Sequence, residues 1–144
     1  MLQKIKFRME ENCQDLQPRK AHSDDAAYDL FSNISTDIPP WTRTLLPTGL
    51  YLELPDGFEA QVRPRSGLAL KKGITILNSP GTIDAGYRGE VGVIAFNSSE
   101  ETVYIKRGDR IAQMVIQKLS DIELVEADTL ADSHRGEGGF GSSG

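Results

Sequence analysis

The chain has 144 residues and a net charge of −5, and its 14 glycines gather in predicted turns and in the last ten residues. This length suits one domain with a buried core, and the glycine distribution favours many short strands followed by a distinct tail. No apolar run approaches the roughly 20 residues that cross a bilayer, and no basic run coats a phosphate backbone, so neither a membrane nor a nucleic-acid polymer is expected as partner.

Cysteine and histidine are scarce. The single cysteine, Cys13, excludes an internal disulfide and a multi-cysteine zinc site. The two histidines, His22 and His134, lie far apart in polar segments, which argues against a transition-metal site built by the protein. With no apolar signal segment at the N-terminus, these features favour the cytoplasm or another reducing intracellular compartment.

Short alternating segments dominate the first 62 residues and predict strands. Residues 50–54 and 58–63 alternate apolar and polar side chains on either side of a Pro-Asp-Gly turn, which predicts a β-hairpin. Residues 11–23 are polar and are predicted to form a loop. The other strands predicted in this part of the chain cover residues 4–9, 34–38 and 44–46.

One acidic residue lies inside an apolar patch. Asp29 follows Tyr28 and precedes Leu30 and Phe31. Such a carboxylate is either a turn residue with a partner or a negative charge arranged for function, because burial of an unpaired charge is costly. The segment alone leaves both interpretations open.

The one predicted helix covers residues 67–72, with Ser66 as a favourable N-cap. The free N–H groups at its start, together with Arg65, would attract a phosphate group. The alternative is an ordinary capped helix beside a solvated arginine.

Residues 74–96 form the stretch around which the other elements are organised. Its β-branched ends predict two strands, and the Asp-Ala-Gly sequence from Asp84 predicts a tight turn between them. The Asn-Ser-Pro-Gly sequence from Asn78 interrupts the first strand, which would leave backbone donors and acceptors unpaired. With Tyr87 as a platform and Asp84 as an acid, the stretch suits a flat heterocycle and a positioned water. Alternatively, Asp84 only builds the turn and Tyr87 packs on it.

The strands that follow are strongly apolar. Residues 91–96 carry apolar or small side chains on both faces, so this strand is expected to be covered on both sides, by a second sheet or by another copy of the chain. Further strands are predicted at residues 103–106, 111–116 and 122–126, the last of which would close the sheet. Gln113 interrupts an apolar strand and is expected to have a specific partner.

The last ten residues contain five glycines and two serines, a composition typical of a mobile coil. A disordered tail is the simpler interpretation. However, Arg135 and Phe140 supply one cation and one aromatic ring at a fixed spacing, which suits a lid that closes on an aromatic anion.

Five segments, in order along nearly the whole chain, resemble the motifs of the trimeric deoxyuridine triphosphate nucleotidohydrolases (dUTPases). They are residues 26–30 (AAYDL), 64–69 (PRSGLA), 81–89 (GTIDAGYRG), 107–113 (RGDRIAQ) and 135–144 (RGEGGFGSSG). The resemblance implies an all-β, jelly-roll-like β-barrel of many short strands with one short helix over residues 1–134. It also implies a glycine-rich arm, residues 135–144, that closes the active site, and a homotrimer whose sites are shared between subunits.

The resemblance further implies the reaction and its residues. The expected reaction is Mg²⁺-dependent hydrolysis of dUTP to dUMP and pyrophosphate, by attack of water at the α-phosphorus, which removes dUTP and supplies dUMP for thymidylate synthesis. Asp84 would orient the water, and Asp29 would support the metal through water, the metal being held mainly by the triphosphate. The implied substrate-binding residues are Arg65, Ser66, Gly67, Asn78, Gly81, Tyr87, Gln113, Arg135, Phe140, Gly141, Ser142 and Ser143.

There are two alternative functions, and the intact third and fifth segments argue against the first of them. A dCTP deaminase shares the barrel and would release ammonia from dCTP. A nucleotide-responsive binding protein would use dUTP to switch the arm, and a partner would recognise that state.

Overall fold

The structure, a computed structural model, describes residues 2–142 and consists mainly of short antiparallel strands. In the described residues no helix is long and apolar enough to cross a membrane. The elements are β1 (Lys6–Met9), a 3₁₀ helix (Glu11–Leu16), β2 (Tyr28–Phe31), β3 (Thr36–Ile38), β4 (Arg43–Glu53), β5 (Phe58–Arg63), α1 (Ser66–Lys72), β6 (Ile74–Ile76), β7 (Gly81–Ile83), β8 (Glu90–Asn97), β9 (Val103–Ile105) and β10 (Arg110–Lys118).

Two four-stranded sheets and a two-stranded ribbon make up the fold. One sheet has the order β1-β4-β8-β6, the other has the order β2-β10-β5-β7, and β3 pairs with β9. Alternate residues of the strands point into one apolar core, as in β8, where Val91, Val93 and Ala95 are buried. The all-β, jelly-roll-like fold with one short helix is thereby confirmed.

The predicted hairpin around the Pro-Asp-Gly turn is wrong, although both strands and the turn exist. β4 pairs with β1 and β8, whereas β5 pairs with β10 and β7 in the other sheet. The turn, in which Gly57 has a φ of 83°, therefore carries the chain from one sheet to the other. Alternation along a strand indicates which face is buried but not which strand lies beside it.

Residues 44–46 and 50–54, predicted as separate strands, belong largely to one strand, β4. Its pairing with β8 shifts register between Pro47 and Tyr51. Within this irregular part Gly49 has a φ of 71° and donates its N–H to Glu90 Oε2 at 2.8 Å. A Cβ at Gly49 would lie 2.6 Å from Cys13 Sγ, so both the backbone angle and the close approach require glycine here.

The predicted loop at residues 11–23 begins with a 3₁₀ helix, which corrects that prediction. Cys13 and Leu16 from this helix are buried in the core, with exposures of 0% and 5%. Burial of two apolar side chains three residues apart favours one helical turn, since such residues lie on the same side of it.

β8 is covered on one face only within a single chain. Its inner residues are buried, but Ile94 and Phe96 on the outer face are half-buried and Leu45, opposite Ile94 on β4, is 62% exposed. The second sheet therefore does not provide the predicted cover on both faces.

The strand predicted at residues 122–126 is wrong. This segment is extended without strand pairing, and Ile122, Leu124 and Val125 are 77%, 95% and 76% exposed. β10, which precedes it, already has β2 and β5 on its two sides. Among the described residues, the last hydrogen bond between this end of the chain and the barrel runs from Leu119 N to Gly57 O, at 2.7 Å.

Candidate active site

A cleft of about 350 Å³ opens beside the start of α1, where β2, β10 and β5 lie next to one another. It brings together five of the predicted site residues, which come from three separate sequence segments. They are Asp29, Arg65, Ser66, Gly67 and Gln113. The other lining residues are Ala21, Asp25, Ala26, Ala27, Arg63, Arg110 and Val115.

Asp29 is the paired acid of this cleft. Its side chain is 16% exposed, and its carboxylate lies 3.3 Å from Arg65 Nε and 3.8 Å from Arg110 Nη1. Its backbone N–H donates to Arg19 O at 2.8 Å, which fixes the strand that carries it. Asp29 thus has partners, but it lies in β2 and not in a turn, and the two arginines offset the cost of its burial.

Gln113 has the specific partner that its position in an apolar strand predicted. Its side-chain amide donates to Pro64 O at 2.9 Å, and in the sheet it lies opposite Asp29 of β2 and Arg63 of β5. The bond ties β10 to the connection between β5 and α1. Gln113 therefore fixes the position of Arg65 relative to Asp29.

The helix α1 begins at Ser66, so Ser66 is not the N-cap and that prediction is wrong. Arg65 occupies the N-cap position in an extended conformation, without a side-chain capping bond. The first intrahelical hydrogen bond runs from Ala69 N to Arg65 O at 3.0 Å, so the N–H groups of Ser66 and Gly67 precede it. Gly73 ends the helix in the left-handed conformation.

A second group of predicted residues lies on the segment between β6 and β8. The ends of this segment pair as predicted, with Ile74 opposite Asn97, but β7 between them joins β5 in the other sheet. Tyr87 N donates to Asp84 O at 3.1 Å, which confirms the predicted turn, and Tyr87 Oη donates to Glu90 O at 2.8 Å.

The side chains of this second group face solvent. Asp84 and Asn78 are exposed, Tyr87 is 47% exposed, and Gly81 lies buried at the start of β7. None of these four residues lines the cleft. One chain therefore holds two separate half-sites: a cationic cleft, and a turn that presents an acid and an aromatic ring.

The predicted arm residues form a third group. Phe140 is fully exposed, and Arg135 donates only within the arm, from Nε to Gly138 O. Gly139 N donates to Ser142 Oγ at 2.9 Å, and Gly141 has a φ of 80°. In the described part of the arm, residues 135–142, no hydrogen bond or ion pair reaches the barrel; Ser143 lies outside the described residues.

Two cleft residues were missed by sequence reasoning. Arg63 was only the last residue of a predicted strand, and Arg110 was part of the family segment 107–113 without a role of its own. Both enter the cleft because β10 lies between β2 and β5. Strand partners are set by residues distant in the sequence. Only knowledge that Gln113 lies opposite Arg63 and Asp29 would have placed the two arginines in the cleft.

The charges of the cleft favour an anion. Its lining contains three arginines against two aspartates, and neither histidine nor cysteine, in a chain of net charge −5. Guanidinium groups match the oxygens of phosphate in geometry and charge. Among residues 2–142, no cluster of three or more histidine, cysteine or acidic side chains is placed to hold a metal ion.

Comparisons with known proteins identify the family of the chain. The sequence profile of the dUTPase family matches residues 15–144. A relative from Clostridium tetani, named deoxyuridine 5'-triphosphate nucleotidohydrolase, is 52% identical over 127 residues, which cover 88% of each chain.

Two solved structures resemble the chain. The dUTPase of Staphylococcus bacteriophage 80alpha, with dUPNHPP, has a TM-score of 0.90 at 28% identity and covers 99% of both chains. A point variant of the dUTPase from phage phi11 of S. aureus, whose structure describes a coordinated structural Mg(II) ion, has a TM-score of 0.79 at 26% identity, with 88% of this chain and 98% of that one covered. This chain belongs to the dUTPase family.

Proposed function

We propose that the protein is a dUTP diphosphatase, which hydrolyses dUTP to dUMP and pyrophosphate. The observation that carries the proposal is the meeting of Asp29, Arg65, Ser66, Gly67 and Gln113, from three separated family motifs, in one cationic cleft. The choice of dUTP as the substrate rests on family membership, since the Clostridium tetani relative is named for the hydrolysis of this nucleotide. The reaction removes dUTP and supplies dUMP, from which thymidylate is made.

The cleft would hold the triphosphate. Arg65 is oriented by Asp29, so its guanidinium is positioned before the substrate arrives. Ser66 and Gly67 would add polar contacts next to it, while Gln113 holds the connection in place. Positive charge near the phosphorus stabilises the charge that develops during phosphoryl transfer.

Asp84 would orient the attacking water. A carboxylate is a far weaker base than hydroxide, so Asp84 cannot form hydroxide in advance. It accepts the proton while the water oxygen bonds to the α-phosphorus. The bond from the α-phosphorus to the bridging oxygen breaks, and its electron pair leaves on pyrophosphate.

Selection of the substrate would rest on the segment from Asn78 to Tyr87. Its backbone would pair with the edge of uracil, which mismatches cytosine and leaves no room for the thymine methyl group. The Tyr87 ring would lie against deoxyribose and exclude a 2′-hydroxyl. A site that leaves its own polar groups unpaired on the wrong ligand can discriminate by a factor of about 10⁴.

A homotrimer with shared sites would join the separate groups. Asp84 and the cleft do not meet within one chain, and the described arm does not reach the barrel. The open face with Leu45 and Ile94, and the exposed apolar residues of 119–125, supply surfaces that other copies would bury. The arm, residues 135–144, would then close a site on a neighbouring subunit.

Mg²⁺ fits the residues of the cleft as a cofactor carried by the substrate. Asp29 already shares its carboxylate with two arginines, so it would hold the ion through water and not as a direct ligand. When bound, the ion supplies positive charge to the phosphate oxygens.

Pyrophosphate release from dUTP, dTTP, dCTP and UTP, each with Mg²⁺, tests the proposal. We expect release from dUTP alone at an appreciable rate, and loss of that activity when the metal is chelated. Equal rates with dTTP or UTP would contradict the selectivity assigned to residues 78–87. Ammonia release from dCTP would instead identify a deaminase.

A further inference from the structure

Arg63 is a cleft residue that the family motifs did not assign. It is the last residue of β5, lies opposite Gln113 of β10, and is partly buried in the cleft wall. The cleft therefore has a third guanidinium group besides Arg65 and Arg110.

The charge of Arg63 is not compensated by an acid. Asp29 lies within 4.0 Å of both Arg65 and Arg110. Within residues 2–142, no carboxylate oxygen lies that close to Arg63. Arg63 is therefore the one arginine of the cleft lining that has no carboxylate within 4.0 Å among the described residues.

A neutral group holds the Arg63 guanidinium in place. Its Nε and Nη2 both donate to Gln61 Oε1, at 3.2 and 2.8 Å. Gln61 is two residues earlier on the same face of β5, and its amide donates to Glu59 Oε2 at 3.2 Å. The guanidinium has five N–H donors, so this contact fixes its direction and leaves donors for an anion.

We infer that Arg63 is a further substrate-binding residue, which contacts the phosphate groups that leave as pyrophosphate. The inference rests on the proposed function for the identity of the substrate. The attraction between Arg63 and phosphate groups, however, does not depend on which nucleobase the ligand carries. A fixed and uncompensated guanidinium favours the ligand with the most negative charge. Arg63 therefore contributes to the preference for a triphosphate over the monophosphate product.

Calorimetric titration of inorganic pyrophosphate, dUMP and a nonhydrolysable dUTP analogue tests the inference. In the Arg63→Gln variant we expect the affinity for pyrophosphate and for the analogue to fall by about tenfold or more, since a charge-assisted bond is lost. The affinity for dUMP is expected to change little, and Arg63→Lys is expected to be intermediate. Lys118→Gln is the matched control, because it removes one exposed charge from the end of β10, outside the cleft.

Three results would overturn the inference: unchanged binding of pyrophosphate and analogue in Arg63→Gln, an equal loss for dUMP, or no binding of pyrophosphate by the unmodified protein. An equal loss for dUMP would show that Arg63 supports the shape of the cleft. Failure of the proposed function gives a different result. In that case the unmodified protein releases no pyrophosphate from dUTP, while its own binding of pyrophosphate still depends on Arg63.

Discussion

Asp29 and Asp84 are both aspartates of family motifs, and their surroundings give them different chemistry. Asp29 is nearly buried between two guanidinium groups, one against each of its carboxylate oxygens. Asp84 is exposed at a turn, and no side chain of the described residues donates a hydrogen bond to it or forms an ion pair with it. Of the two, Asp84 is therefore the one free to accept a proton.

We expect Asp84→Asn to lower turnover of dUTP by a factor of about 10² or more, because an amide cannot accept the proton that the attacking water loses. The shape of the turn is conserved by this change, so a nonhydrolysable dUTP analogue should bind almost as well as before. Pyrophosphate release and calorimetric titration measure the two effects separately.

Asp56→Asn provides the control for this substitution. Asp56 is an exposed aspartate in the turn between β4 and β5, outside the cleft, and its change to asparagine should leave turnover unaltered. If Asp84→Asn keeps turnover within about tenfold of the unmodified protein, which is only some 1.4 kcal/mol of barrier, Asp84 is not the proton acceptor.

At the level of single residues, sequence reasoning succeeded where a local rule applied. Gln113 in an apolar strand required a partner, and Pro64 O is that partner. The sequence also placed the Asp84 turn correctly. It missed Arg110, because an arginine at the end of a turn has no local feature that distinguishes a solvated side chain from one that faces a carboxylate on another strand.

Among the elements, one arginine connects the 3₁₀ helix to the turn between β9 and β10. Arg107, in the turn between β9 and β10, donates from Nη1 to Asp15 Oδ2 at 2.9 Å and from Nη2 to Asp15 Oδ1 at 3.0 Å. Its Nη2 also donates to Asn12 O at 2.7 Å. The hydrogen bond from Arg107 holds the pKa of Asp15 below its ordinary value, and the pKa of Arg107 is raised by the same bond.

This pair makes part of the stability depend on pH. Because the folded-state pKa of Asp15 is depressed, its contribution is present above the ordinary pKa of aspartate and is lost as pH falls through the lowered value. Arg107 remains protonated throughout. We expect Asp15→Asn to lower the melting temperature at pH 7 by a few degrees at most, because exposed ion pairs contribute little.

Melting curves at pH 7, 5 and 3 measure the effect. The difference between Asp15→Asn and the unmodified protein should shrink towards pH 3. Asp24→Asn is the control, since Asp24 is exposed and forms no ion pair within the described residues. A difference that stays constant across this range would show that Asp15 acts through packing and not through its charge.

The C-terminal arm is the element least connected to the rest. We expect deletion of residues 135–144 to remove most activity, because Arg135 and Phe140 are the residues proposed to cover the bound nucleotide. The melting temperature and the oligomer mass should not change, since the described part of the arm forms no hydrogen bond with the barrel. Pyrophosphate release, thermal unfolding and light scattering provide the three measurements.

A chain that ends after Gly139 separates the two contributions within the arm, since it keeps Arg135 and lacks Phe140. We expect it to have intermediate activity. Normal hydrolysis of dUTP by the chain that lacks residues 135–144 would show that the arm has no part in catalysis.

Strands were easier to predict than their partners. The alternation in β5 and the apolar run in β8 identified both strands, yet the sequence placed β5 beside β4 and the structure places them in different sheets. Residues 122–126 show the same limit, because their apolar pattern predicts a buried strand while the chain itself offers no neighbour. An apolar pattern indicates that a segment is to be buried, but it does not identify the element that buries it.

For the whole molecule, the central question is which chains supply each site. The cleft and the Asp84 turn are both complete in one chain but do not meet. A homotrimer that brings the cleft of one subunit to the turn of another would make activity a property of the assembly.

Co-expression of two inactive variants tests this arrangement. Asp84→Asn lacks the proton acceptor and Arg65→Gln lacks a phosphate contact, so each variant alone should be nearly inactive. In a mixed trimer only one of the three sites joins the intact cleft of one variant to the intact turn of the other, so we expect about a third of the sites to be complete. Two affinity tags isolate the mixed assemblies, and pyrophosphate release measures the recovery.

Sites formed within one chain give a different result, because every chain then carries one defect. Mixed trimers that are no more active than the separate variants would therefore contradict shared sites. The mass of the unmodified protein in solution provides an independent check, since a trimer weighs three times the 15.8 kDa of one chain.

The long exposed end of the chain is also a site where proteolysis would inactivate the protein during storage. Residues 119–134 contain neither lysine nor arginine, so a trypsin-like protease that attacks this end cuts after Lys118 or Arg135, both of which are exposed. Either cut removes Phe140, but only the cut after Arg135 leaves residues 119–125, which other copies would bury, in place. A preparation clipped after Arg135 would therefore keep its circular dichroism and its melting curve while it loses its catalysis, and intact mass is the property to monitor during storage.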